Sequence, residues 1–189
     1  MSPFEFIITL LSFIYSLAMT QLLFGVGRMV RHRRTLTLSA PHLIWMVNIL
    51  ALLIMNWITL WDFQRAKVLD LGSIMVALAF AVLLYLIATF VTPDLESPED
   101  RDLRAFHQRE GAVYIGANLF GAVVSLAINA GAGAIGVSNW AAQNVIVICS
   151  IPLLVLALVF RKGWLHLLLS AANFLPIAAF LVLYYSVLR

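Results

Sequence analysis

Six separate runs of this chain are apolar for long enough to cross a lipid bilayer, and none has Asp, Glu, Lys, Arg or His near its middle. They lie at about 4–30, 42–63, 70–92, 112–132, 140–161 and 164–188. A helix needs roughly 20 apolar residues to span the hydrocarbon core, with a range of about 17–25. No water is present there to replace a lost backbone hydrogen bond, so only helices and closed barrels span it. The runs are continuously apolar rather than alternating, which favours helices. The expected fold is therefore all-α: a polytopic bundle of six transmembrane helices, one domain over residues 1–189. Composition agrees, with 63% hydrophobic and 11% charged residues. Soluble domains average roughly 45–50% apolar and about 25% charged, so this chain could not cover its surface in water. The short connections leave no room for a soluble domain.

Orientation follows from the lysines and arginines. Arg28, Arg31, Arg33 and Arg34 flank the first connection, Arg101, Arg104 and Arg109 the third, and Arg161 and Lys162 the fifth. The opposite side has only Arg65, Lys67 and Arg189. Positive loops stay in the cytoplasm, so nine against three predicts cytoplasmic first, third and fifth loops, with both termini outside. The run "RMVRHRR" (28–34) is read as this topological signal. The net charge of +3 is concentrated there rather than spread over a face, so nucleic acid is not an expected partner. The start, "MSPFEFIITLLSF", lacks a basic leader region and reads as a retained first span. The one cysteine, Cys149, allows no intramolecular disulfide and reads as a packed side chain.

The third connection holds Ser97, Pro98 and Asp100, a helix-start signal, followed by Leu103 and Phe106 on one side. An amphipathic cytoplasmic helix is expected at about 97–110, running on into span four. In "NWITLWDF" (56–63), Trp57 and Trp61 fall on one face at headgroup level and are expected to anchor the helix there, with Asp62 in reach of water.

Uncharged polar residues do enter the spans. Gln21, Asn48, Asn56, Asn118, Asn129 and Asn173 are the candidates for a polar path or for helix packing. Ser12, Ser16 and Thr20 form one stripe, and Ala117, Gly121, Ser125 and Asn129 a second; small residues at this spacing let helices approach. Pro152 and Pro176 each remove a helical hydrogen bond and are candidate hinges. The histidines His32, His42, His107 and His166 fall near the cytoplasmic boundary, on different segments. Of these, His42 and His166, at the starts of spans two and six, are the only candidate pair for a metal or haem. No catalytic motif of the GxSxG, HExxH or Walker type occurs, and no catalytic residue or cofactor is expected. The glycines of "GAGAIG" (131–136) follow a membrane helix rather than a soluble strand and read as a turn.

The stretch "SLAMTQLLFGVGRMVRHRR", with "PHLIWMVNILALLIMNWITLWDF" after it, resembles a group of small six-helix bacterial inner-membrane proteins without an assigned activity. The likeness covers about the first 65 residues. It implies a multi-pass protein of the bacterial inner membrane and no particular chemistry. A chain made almost wholly of spans, with amide stripes and two prolines, suggests a passive channel or facilitative transporter for a small solute or ion. A homo-oligomer in the lipid bilayer is expected. The alternatives are a scaffold or sensor subunit binding a cytoplasmic protein partner, and an intramembrane haem or metal protein.

Overall fold

The computed structural model describes residues 3–60, 71–131, 144–160 and 162–187. These form six helices: α1 (Pro3–Arg31), α2 (Ala40–Thr59), α3 (Leu71–Val91), α4 (Leu103–Gly131), α5 (Val145–Val159) and α6 (Gly163–Val187). Trp61, Asp62, Gln143, Arg161 and the GAGAIG turn beyond Gly131 lie outside the described residues.

Five of the helices, all but α5, are long and apolar enough to cross a membrane. Helix α5 has 15 described residues, or about 22 Å at 1.5 Å per residue. That is shorter than a hydrocarbon core of about 30 Å. The expected fifth span of 140–161 is thus represented by its central part. Large apolar side chains face outwards, among them Phe6, Phe13, Leu23 and Phe24 on α1 and Trp164 and Leu175 on α6. Such a surface is unfavourable in water and natural against lipid.

The helices close a ring in the order α1, α3, α4, α5, α6, α2 and back to α1. Helix α2 also touches α3 and α4 and so leans into the ring. Its apolar window is 44% buried, against 28% for each of the other four long helices. Helix α1 packs through Ile7, Leu11, Tyr15, Ala18, Leu22 and Met29, a three-and-four spacing that makes one face. The Ser12, Ser16 and Thr20 stripe lies off this face: Ser16 and Thr20 are exposed, and the Ser16 hydroxyl turns back to the Ser12 carbonyl at 2.7 Å.

The first and third connections meet at one end of the ring, called here the loop end. The Thr37 N–H donates to the Arg101 carbonyl at 2.9 Å, and the Leu103 N–H donates to the Thr37 carbonyl at 3.0 Å. The Arg28 guanidinium donates to the Asp94 carboxylate at 3.2 Å and to the Pro93 carbonyl at 3.1 Å. Gly25 allows close approach here: a Cβ on it would stand 2.5 Å from the Thr92 Cγ2 methyl.

The amphipathic helix expected at about 97–110 is divided differently. Pro98–Arg101 make a short 3-10 turn, and α4 starts at Leu103 and runs unbroken to Gly131. Ser97 stands at the cap of the short turn but its side chain makes no capping bond. Asp102 caps α4 instead, its carboxylate accepting from the N–H groups of Arg104 (2.9 Å) and Ala105 (3.2 Å). Leu103 and Phe106 are buried in the bundle core rather than laid on a membrane surface.

Candidate functional site

One face of α4 carries His107, Tyr114, Asn118, Ser125 and Asn129 at helical spacing. Facing it, α2 carries His42, Asn48 and Asn56, α6 carries His166, Ser170 and Asn173, and α5 carries Ser150 with Asn144 at its N-cap. These side chains stack as four polar layers from the loop end towards the opposite end, the last reaching an exposed rim at Asn129.

The first layer is a histidine cluster. His107, on the second turn of α4, bonds through Nδ1 to the Tyr114 hydroxyl and through Nε2 to Nδ1 of His166 at 3.2 Å. The His107 and His166 rings are perpendicular, with centroids 4.8 Å apart. His42 is fully buried beside them, 6.3 Å from His107 and 6.1 Å from Tyr114 between centroids, with its ring edge-on to Phe106 at 5.2 Å. Among the described residues, neither His42 nitrogen has a hydrogen-bond partner. A buried polar group left unpaired costs about 1–3 kcal/mol. With Trp45, Leu103 and Tyr114, all at 0% exposure, this layer packs the bundle tightly at the loop end.

The second layer is an amide pair. The Asn48 amide nitrogen donates to the Ser170 carbonyl at 2.8 Å and to the Ile44 carbonyl at 3.1 Å. The Asn173 amide nitrogen donates to the Asn48 side-chain oxygen at 3.2 Å, and among the described residues the Asn173 Oδ1 has no partner. Both asparagines are buried.

The third layer is a cavity of about 50 Å³. Every helix except α1 lines it, and its polar wall is Asn56, Asn118, Ser125, Ser150 and Asn173. Among the described residues, no charged side chain lines it. A site needs roughly 10–15 Å³ on this measure to hold one water, so there is room for a small polar molecule. In the fourth layer the Asn129 amide nitrogen donates to the Asn144 side-chain oxygen at 2.6 Å.

The sequence candidates divide accordingly. Asn48, Asn118 and Asn173 are buried within the ring, whereas Asn129 is exposed and reaches Asn144 from the rim. Asn56 lines the cavity while donating to its own helix at the Leu52 carbonyl, 2.9 Å away. Gln21 is half-buried on α1, the helix that contributes nothing to the cavity. Pro152 and Pro176 sit inside α5 and α6, which continue through them. Trp57 is 48% exposed, and its indole N–H donates to the Ser12 hydroxyl of α1 at 3.3 Å, so it joins two helices.

His42 and His166 reach the same layer, but His107 links it. Reading each histidine as the end of its own segment missed His107. The seven-residue step from His107 to Tyr114 and the four-residue step to Asn118 were the available signal, since both keep a residue on one helix face. Among the described residues no group of three metal-ligating side chains is placed to hold an ion. Comparison with protein-family models, with curated proteins and with solved structures gives no match, so the functional reading stands on this geometry alone.

Proposed function

We propose that this integral membrane protein is a passive channel or facilitative transporter for a small uncharged polar solute, in the inner membrane of a bacterium. The observation that carries the reading is the cavity between five helices, whose largely apolar lining holds amides and hydroxyls from four of them, Asn56, Asn118, Ser125, Ser150 and Asn173. Such groups replace part of the water shell of a polar solute inside lipid, where a bare polar group is costly. The lining has no fixed charge to offset the far greater desolvation cost of an ion, which favours neutral solutes. The dense histidine layer closes the cavity towards the loop end, so passage requires the helices there to part. Pro152 and Pro176, each lacking one backbone donor, are where α5 and α6 bend most easily. The arginines of the first and third connections support a cytoplasmic position for that closed end.

Purified protein in lipid vesicles tests the proposal by stopped-flow light scattering with water, glycerol, urea and acetamide. Wild type raises the permeability of at least one, and Asn118→Leu abolishes the increase while the protein stays monodisperse. If no solute of the panel crosses faster than in protein-free vesicles, the proposal is wrong.

A scaffold role has one observation in its favour. Arg28 is neutralised by Asp94, but Arg31, Arg33 and Arg34 in the first connection are exposed and make no ion pair among the described residues. A stoichiometric acidic partner retained in mild detergent, and lost on replacing these three arginines, would favour that role.

A further inference from the structure

We infer that the turn after α1 binds the phosphate of an anionic phospholipid, with the guanidinium groups of Arg31, Arg33 and Arg34 as its ligands. The inference is independent of the conduction reading and needs only that the chain lies in a membrane.

The turn is held at both ends. Helix α1 stops at Arg31, and the Thr35 N–H donates back to the His32 carbonyl at 2.9 Å. Before the turn, the Arg28 guanidinium fastens α1 to Asp94 and Pro93. After it, Thr37 is bonded through its backbone to Arg101 and Leu103. On this fixed backbone Arg31, His32, Arg33, Arg34 and Thr35 surround an open hollow of about 390 Å³. His32 and Thr35 are occupied within the turn, His32 Nδ1 with the Arg28 carbonyl at 3.0 Å and the Thr35 hydroxyl with the His32 carbonyl at 3.2 Å. Arg33 spends one N–H on the Val30 carbonyl at 3.1 Å. A guanidinium has five such donors, so most of them are left for a ligand.

The nearby carboxylates do not neutralise the hollow. Asp94 is paired with Arg28, Glu99 and Asp100 are paired with Arg109, and Asp102 caps α4. Forked, permanently charged donors match the oxygens of a phosphate two at a time.

The surroundings make that phosphate a lipid's. Val26 and Val30, in the last two turns of α1, are exposed, and so is Leu38 just beyond the turn. Trp164 is exposed two residues before His166, which belongs to the loop-end layer, and indoles favour headgroup level. The basic hollow therefore lies at the depth of bilayer phosphates, bordered by apolar side chains that suit acyl chains. A soluble phosphate gains nothing from that border, and a protein would have to reach headgroup depth to use it. A zwitterionic headgroup carries an ammonium that the arginines repel, so the lipid selected is anionic.

Titration of lipids into the detergent-purified protein, read by native mass spectrometry, tests the inference. Phosphatidylglycerol should fill one saturable site, at least about tenfold more tightly than phosphatidylcholine with the same acyl chains. The variant Arg31→Lys/Arg33→Lys/Arg34→Lys keeps the charge that sets topology but loses the forked donors. Its affinity for phosphatidylglycerol should fall about tenfold. If it does not fold, Arg34→Lys alone serves, with a fall of about threefold. Equal affinity for the two lipids overturns the inference. So does undiminished affinity in the lysine variants, which would reduce the site to diffuse charge attraction. Displacement of the lipid by millimolar inorganic phosphate or glycerol 3-phosphate would make it a site for a soluble phosphate instead. An acidic protein retained on these arginines in place of lipid would hand them to the scaffold reading. None of these results alters the solute-flux measurement, so the two proposals fail separately.

Discussion

The loop end and the midsection of the bundle are both buried and both contain polar groups, yet they are held together differently. At the loop end the first and third connections are joined by backbone hydrogen bonds between Thr37 and the Arg101–Leu103 stretch. Arg109 pairs there with Asp100, Glu99 and Glu110, and His107 is bonded on both sides. In the midsection five helices surround a cavity, and the contact between Asn173 and Asn48 is a single side-chain bond. Polar bonds between membrane helices contribute only about 0.6 kcal/mol on average. Burial by itself therefore does not tell a platform from a moving part. The loop end is built as the platform, and the midsection as the part that can change shape around a solute.

The strongest way to break this contrast is to disturb the platform. Gly25→Ala sets a Cβ 2.5 Å from the Thr92 methyl. Thr92 cannot easily turn aside, because it is β-branched and its hydroxyl donates to the Ala88 carbonyl at 2.7 Å. A loss of about 1–3 kcal/mol is expected, as for other overpacked sites. Thermal unfolding in detergent measures it. Thr92→Ser deletes only the clashing methyl, so the double variant Gly25→Ala/Thr92→Ser should regain most of the loss. If Gly25→Ala alone is neutral, the loop end is looser than described.

Tyr114→Phe should cost less, about 1 kcal/mol, by removing the hydroxyl bonded to His107. The ring stays in place, so packing is kept. A larger loss would mean that the histidine layer acts as one network rather than as separate bonds. Asn118→Leu, in the midsection, should change stability by no more than about 0.5 kcal/mol. Its effect should appear in solute permeability instead. A large loss of stability with unchanged flux would reverse the assignment of the two regions.

The helices were legible in the sequence because lipid leaves the backbone no alternative, so length and apolarity suffice. That the first and third connections share an end was legible from arginine placement. Which face of α1 turns inwards was not. Its Leu11–Tyr15–Ala18–Leu22 face and its Ser12–Ser16–Thr20 face both recur at helical spacing. Lipid is as apolar as a packed helix face, so there is no hydrophobic drive to turn one apolar face inwards rather than outwards, and periodicity cannot choose. The start of α4 was misplaced because Ser97 and Asp102 are both good caps, and only the bond to Arg104 and Ala105 decides between them. The sequence put His42, His107 and His166 at one boundary, but they come from three helices, and a one-dimensional pattern does not show that their side chains turn inwards and meet.

The smallest expected effect on stability is at His42, and its sign carries the information. The ring is fully buried against Phe106, His107 and Tyr114, and neither nitrogen is paired among the described residues. If its role is only to fill space, His42→Leu replaces an unsatisfied group with an apolar one of similar size, and the protein should be as stable or slightly more so. Helix α2 is the most buried of the long helices, so a poorly filled site there should be felt. An unchanged or raised unfolding temperature together with normal flux makes His42 part of the platform. A raised temperature with lost flux makes it a residue kept for function against stability, since unpaired buried groups persist where they serve a second state. The second result would move the boundary between platform and moving part up into the histidine layer, and would make the closed loop end the gate.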